Sequence, residues 1–129
     1  MSRREARCRC GQLQAFVEGE PKRVSICHCL SCQRRTGSAF GEQARFSRVG
    51  FSHSGEFREW ERVSDDGQPR SYWFCPICGS TVWYATDEGE VAIPVGALAD
   101  PTFPPPTRSV WERRKHAWVH PPAAADRHD

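Results

Sequence analysis

Seven cysteines fall in three tight clusters: Cys8-x-Cys10, Cys27-x-Cys29-x-x-Cys32 and Cys75-x-x-Cys78. Spacings of one or two residues let two sulfurs of one turn face a single ion, which is how tetrahedral zinc sites are commonly assembled from separate parts of a chain. A disulfide framework fits poorly, because the count is odd and bridges between such near neighbours are strained. Iron–sulfur ligation is the alternative use of the same thiols. Two pairs complete one four-sulfur site, and the triplet leaves a second ion with three protein sulfurs and an open position. Closed four-coordinate zinc is structural, whereas three protein ligands plus an exchangeable fourth is the pattern of catalytic zinc. The spacing thus predicts one zinc of each kind.

An open zinc deprotonates a thiol that takes its fourth position, or polarises a bound aldehyde oxygen towards attack. Either mode joins sulfur to carbon. Three thiolates already donate strongly to the ion, which favours thiol binding followed by attack on a nearby aldehyde, with lyase behaviour in reverse. His28, between two ligands, is a candidate acid but reads better as a residue that orients its neighbours. Arg34 and Arg35 follow the triplet closely, where positive charge can hold an anionic thiol. His53, His116 and His120 are alternative fourth ligands and otherwise surface residues. Phe40 is the aromatic expected nearest the second metal, while Trp60, Trp73, Trp83, Trp111 and Trp118 are expected mainly in the core, one or two of them walling a pocket.

The elements that must position these residues read as short strands between turns. Gln12 to Glu18 alternates with Leu13, Ala15 and Val17 on one face; Arg23 to Cys27 alternates too, so the triplet begins where a strand ends. Leu30 to Thr36 suits one or two helical turns closed by Gly37. Further strands are expected over Ala39 to Phe46, Phe57 to Val63, Ser71 to Phe74, Thr81 to Ala85 and Val91 to Val95, divided by turns at Ser54-Gly55, Asp65-Asp66-Gly67 and Asp87-Glu88-Gly89. The pattern is all-β. Cys75-Pro-Ile-Cys-Gly79 reads as a knuckle that aims two sulfurs and several backbone N–H groups at one ion. Pro101 to Pro106 cannot continue a ladder and is expected as an extended strap, with a mobile tail over 121–129.

At 129 residues the chain suits one domain, residues 1–129, with a core of about 6–120. No apolar run approaches a membrane span, and the charged start Met1-Ser2-Arg3-Arg4-Glu5 lacks the apolar stretch of a secretory signal, so a cytoplasmic location is expected. The formal charge of +2 treats the thiols as neutral. With seven thiolates and two zinc ions it becomes about −1, which argues against nucleic-acid binding through bulk charge. Arg113-Arg114-Lys115 reads as solvated surface.

Three ordered motifs carry a family resemblance. Cys8-Arg9-Cys10-Gly11, Cys27-His28-Cys29-Leu30-Ser31-Cys32 running into Arg35-Thr36-Gly37-Ser38, and Phe74-Cys75-Pro76-Ile77-Cys78-Gly79-Ser80 resemble the glutathione-dependent formaldehyde-activating enzyme family, which includes centromere protein V. Val95-Gly96-Ala97-Leu98-Ala99-Asp100-Pro101 and the pair Trp111 and Trp118 resemble its C-terminal pattern. The resemblance implies a small zinc-ribbon-related β-sandwich of Mss4-like type, with a short helical turn after the central cluster. It implies structural zinc on Cys8, Cys10, Cys75 and Cys78, and functional zinc on Cys27, Cys29 and Cys32. It further implies carbon–sulfur chemistry joining glutathione or a similar thiol to formaldehyde or another small aldehyde. The alternative is a non-catalytic zinc module that binds a protein or nucleic acid. The oligomeric state is not read from these residues.

Overall fold

The computed structural model describes residues 2–85 and 89–129. In chain order the strands are β1 (Arg3–Arg7), β2 (Gln14–Glu18), β3 (Arg23–Cys27), β4 (Gly41–Ser47), β5 (Ser52–Ser54), β6 (Arg58–Val63), β7 (Pro69–Phe74), β8 (Thr81–Ala85), β9 (Glu90–Pro94), β10 (Arg108–Val110) and β11 (Asp126–Arg127). The one α-helix among the described residues, α1, runs over Leu30–Thr36. The fold is therefore all-β with a short helix after the central cysteine cluster, as the alternating segments predict. The expected turn at Asp87-Glu88-Gly89 lies, Gly89 excepted, outside the described residues.

Two sheets form. The smaller has the order β1-β2-β5 and the larger β11-β10-β3-β4-β9-β8-β7-β6. The main core unites Ala6, Leu13, Ala15 and Val17 from the first sheet and its adjoining loop with Val24, Ala44, Phe46, Val82, Trp83, Val91 and Ile93 from the second. Alternation along β2 does this, since a period of two puts Ala15 and Val17 on one side. Strand β1, Arg-Arg-Glu-Ala-Arg, was not expected: only Ala6 is buried, and its ladder to β2 forms the strand despite four charged side chains.

Several expectations are corrected. The tail does not run free: Asp126–Arg127 pairs in parallel with Arg108–Ser109, the His128 N–H donates to the Ser109 carbonyl at 2.9 Å, and Ala125 is buried. Strand β10 also pairs in parallel with β3, opposite Ser25 to Cys27, so the C-terminal segment flanks the strand that leads into the triplet. Of the tryptophans, Trp83 is buried and stacks on Trp73 at 5.8 Å, but Trp60 and Trp118 are 55% and 68% exposed. Trp60 lies on the edge strand β6, where one side of the sheet has no neighbour. No helix among the described residues is long and apolar enough to cross a membrane.

Candidate metal centres and the cavity beside them

Helix α1 explains the second cluster. Cys29 is its N-cap, and its sulfur accepts from the Cys32 N–H at 3.3 Å. At the other end Gly37 takes a left-handed conformation, φ 70°, and its N–H closes on the Gln33 carbonyl. Thr36 Oγ1 donates to the Cys32 carbonyl at 2.8 Å and accepts from the Ser38 N–H at 3.1 Å, which accounts physically for Thr-Gly-Ser after the cluster. With Cys27 at the end of β3 and the other two sulfurs on the first turn of α1, all three converge within 4.8 Å.

The first and third clusters meet across the chain. Sulfurs of Cys8, Cys10, Cys75 and Cys78 lie within 4.8 Å of one another, with Cys8–Cys10 at 3.6 Å and Cys10–Cys75 at 3.7 Å. Four sulfurs about 2.3 Å from a central zinc stand about 3.8 Å apart along a tetrahedral edge, so this donor set fits the ion. Donors also converge on the sulfurs: Gln12 Nε2 reaches Cys75 at 3.0 Å, the Ile77 N–H reaches it at 3.3 Å, and the Leu13 N–H reaches Cys8 at 3.3 Å. Such bonds stabilise thiolates. Ser80 beside Cys78, with further N–H donors, brings that thiol down to about 5. All seven cysteines are free.

Within the triplet the proton is shared unevenly. Cys29 accepts from the Cys27 and Cys32 thiols and from the Cys32 and Ser31 backbone, and falls to about 2. Cys27 is pushed upwards by those same neighbours and by burial. No histidine or carboxylate among the described residues joins the three sulfurs as a fourth donor. His53 instead stacks on Trp83 at 4.9 Å, His116 Nε2 donates to Gln33 Oε1 at 2.9 Å, and His120 is exposed.

His28 is fully buried and does not line the cavity at the triplet. Its Nε2 lies 2.9 Å from Ser109 Oγ, which donates to Glu112 at 2.6 Å; Glu112 in turn accepts from Arg127 Nε at 2.9 Å. Because Ser109 donates onward, it accepts from His28 Nε2–H, leaving Nδ1 as the unpartnered buried nitrogen. Burial lowers the His28 pKa, against the pull of Glu112. The chain joins β3 to the C-terminal segment. Phe40 packs near His28, rings 6.4 Å apart, and does not line the cavity at the triplet; the aromatics that do are Tyr72, Tyr84 and Trp111.

That cavity, about 130 Å3, is floored by Cys27, Cys29 and Cys32 and walled also by Gln43, Arg45, Arg62 and Arg70. Arg62 and Arg70 pair with Asp65 and Asp66 at 3.5 and 3.6 Å. Arg35 lies beside Cys32 and also lines a larger groove between α1 and the β6–β7 hairpin; its guanidinium stands 5.2 Å from the Tyr84 ring and 6.0 Å from Tyr72, with Nε and Nη2 buried. Burial raises both tyrosines, keeping their hydroxyls protonated at neutral pH. Arg34 is exposed and lines the same groove, of about 740 Å3. The groove and the triplet cavity share Arg62, Asp65 and Tyr72.

A model of the family described as glutathione-dependent formaldehyde-activating enzyme matches residues 3–114. Among solved structures, a Rhodobacter sphaeroides protein determined as a structural genomics target is similar with a TM-score of 0.59 at 19% identity, covering 75% of this chain and 91% of that one. At that identity the likeness speaks for the fold alone. No curated protein matches.

Proposed function

Since the chain belongs to the glutathione-dependent formaldehyde-activating enzyme family, we propose that it is a zinc-dependent carbon–sulfur lyase, making or breaking the adduct of a thiol with a small aldehyde at Cys27, Cys29 and Cys32. The observation that carries this reading is the convergence of three sulfurs, without a fourth protein donor among the described residues, at the floor of a cavity. Cys8, Cys10, Cys75 and Cys78 are proposed to hold the structural zinc. Cys27, Cys29 and Cys32 would hold a second zinc, which would supply there the Lewis acidity that makes a bound thiol a thiolate nucleophile.

The rest of the site has work of its own. Positive charge from Arg45, Arg62 and Arg70 draws an anionic thiol inwards; their acid partners are held by ion pairs weak enough to exchange. Sulfur attacks the carbonyl carbon, the carbon–oxygen π pair moves onto oxygen, and a proton from water completes the hydroxyl. Tyr72 and Tyr84 remain protonated and act as hydrogen-bond donors to that developing oxyanion rather than as acids. In reverse the hydroxyl proton leaves and the carbon–sulfur bond breaks. Arg35, held against both rings beside Cys32, balances the excess negative charge of three thiolates on a divalent ion.

Exchange NMR of the zinc-loaded protein with thiol and aldehyde tests the proposal, since the adduct also forms without a catalyst. Interconversion should accelerate with protein concentration, and Cys29→Ser should return it to the uncatalysed rate. A zinc-loaded protein that leaves exchange unchanged across a panel of thiols and aldehydes overturns the enzyme reading in favour of a binding module.

A further inference from the structure

The cavity at the triplet is large enough for a sulfur and a small carbonyl but not for the rest of a substantial thiol, and the 740 Å3 groove adjoins it, the two having Arg62, Asp65 and Tyr72 in common in their walls. Its walls are specific. On β6, Arg58, Trp60 and Arg62 lie two apart and share one face of an edge strand. Tyr72 and Phe74 stand behind them on β7, and Leu30 and Arg34 face them from α1.

Trp60 is 55% exposed, with the Tyr72 ring 6.1 Å away. A large indole left open in a concave, water-facing groove is a surface that a flat ring can cover. In the same groove Arg34 and Arg58 are exposed, and neither has an ion-pair partner among the described residues, unlike Arg62 with Asp65. Two such cations in one groove with an open indole suit anionic groups beside a planar ring, since aromatic faces stack with heterocycles and guanidinium forks bind phosphate or carboxylate.

We propose that the groove binds the tail of the thiol substrate, and that this thiol belongs to the class carrying a planar heteroaromatic ring and phosphate groups, with Trp60 as the stacking platform and Arg34 and Arg58 as the anion contacts. A tripeptide thiol has the carboxylates for these arginines but no ring to cover Trp60. The proposal rests on the carbon–sulfur reading, because it takes the triplet to be where the sulfur goes.

Calorimetric titration without aldehyde separates the two claims, for it reads binding and not turnover. Coenzyme A, a thiol with an adenine ring and phosphates, should bind the zinc-loaded protein at least tenfold more tightly than glutathione. Trp60→Leu, on an exposed edge, should remove most of that preference while leaving glutathione affinity within about twofold. Arg58→Gln and Arg34→Gln should each weaken coenzyme A several-fold. Independently of any variant, NMR should show the adenine protons shifted by an indole ring current.

Equal or tighter binding of glutathione overturns the proposal, as does a preference unchanged in Trp60→Leu. A single-stranded oligonucleotide lacking a thiol that binds more tightly than coenzyme A also overturns it, in favour of a nucleic-acid groove. If coenzyme A binds as proposed but no aldehyde exchange is catalysed, the carbon–sulfur reading fails and the groove assignment stands.

Discussion

Replacing Gly41 by alanine separates the geometry of the triplet from the stability of the sheet. Gly41 is buried and lies opposite Cys27 on the β3–β4 ladder. A Cβ there would meet Cys32 Cβ and Arg35 Nη2 at 3.1 Å each and Cys32 Sγ at 3.5 Å. The backbone of Gly41 is not in the left-handed region, so alanine brings no conformational strain and, by narrowing the unfolded ensemble, contributes about 0.4–1 kcal/mol. Overpacking works against this at about 1–3 kcal/mol, and with only a few tenths of an ångström to find, the lower end applies. The two terms nearly cancel, so Gly41→Ala should change global stability by about 1 kcal/mol or less. The displacement itself falls on Cys32, whose sulfur is one of the three proposed to hold the second zinc, or on Arg35, wedged against Tyr84. Disturbing such groups typically costs about 10–100-fold in metal affinity, or about 1.4–2.8 kcal/mol. Competition with a chromophoric chelator should show the weaker zinc loosened by that factor, with the four-sulfur zinc in the same sample as internal control. Wild-type affinity at the weaker site in a folded Gly41→Ala protein would refute the reasoning.

Other expectations follow from the same contacts. Elemental analysis should find two zinc ions per chain, the first resistant to mild chelation and the second removed by it; an iron–sulfur chromophore in anaerobically purified protein would reject zinc. Cys75→Ser removes a sulfur that accepts from Gln12 and Ile77 and should cost several kcal/mol in thermal or urea unfolding, while Cys29→Ser should unfold near the wild-type midpoint; equally severe loss from both would make the triplet structural. The Arg127 hydrogen bonds depress the Glu112 pKa, so its contribution is fully present above the ordinary carboxyl range and is lost as pH falls through the lower folded value. Urea melts should therefore show Glu112→Gln less stable than wild type at pH 7 and the gap closing at strongly acid pH; a gap independent of pH would mean that the carboxylate charge is not what holds the tail.

What the sequence made legible were features that repeat locally. Spacing within each cluster predicted the grouping of sulfurs, and alternation gave Arg23–Cys27 and Thr81–Ala85 with their observed bounds. The cavity walls were not legible in this way. Arg62, Arg70, Tyr72, Tyr84 and Trp111 come from β6, β7, β8 and the residue after β10, and alternation tells which face a residue takes but not which sulfur it will meet. Composition does not tell which aromatics are exposed: Trp60 lies on the edge strand β6 and walls the groove, as one or two tryptophans were expected to do, while Trp118 lies in a turn outside any strand. The segment Ala125-Asp126-Arg127 has no pattern of its own and becomes a strand only by pairing with β10.

The two sulfur groups differ in how far along the chain they reach, and this governs what each metal does to the folding equilibrium. Cys10 and Cys75 are 65 residues apart, so the four-sulfur set exists only once the chain has closed a long loop. In a chain-entropy estimate such a cross-link restricts the unfolded ensemble by about 4 kcal/mol. The triplet lies within a single strand end and one helical turn, and an unfolded chain still carries Cys27, Cys29 and Cys32 close enough to seize an ion. A ligand that binds both states shifts their balance only by its differential affinity. Free zinc should accordingly raise the melting temperature through the first site and hardly at all through the second, which leaves the second free to exchange its metal or its fourth ligand without disturbing the fold that presents it.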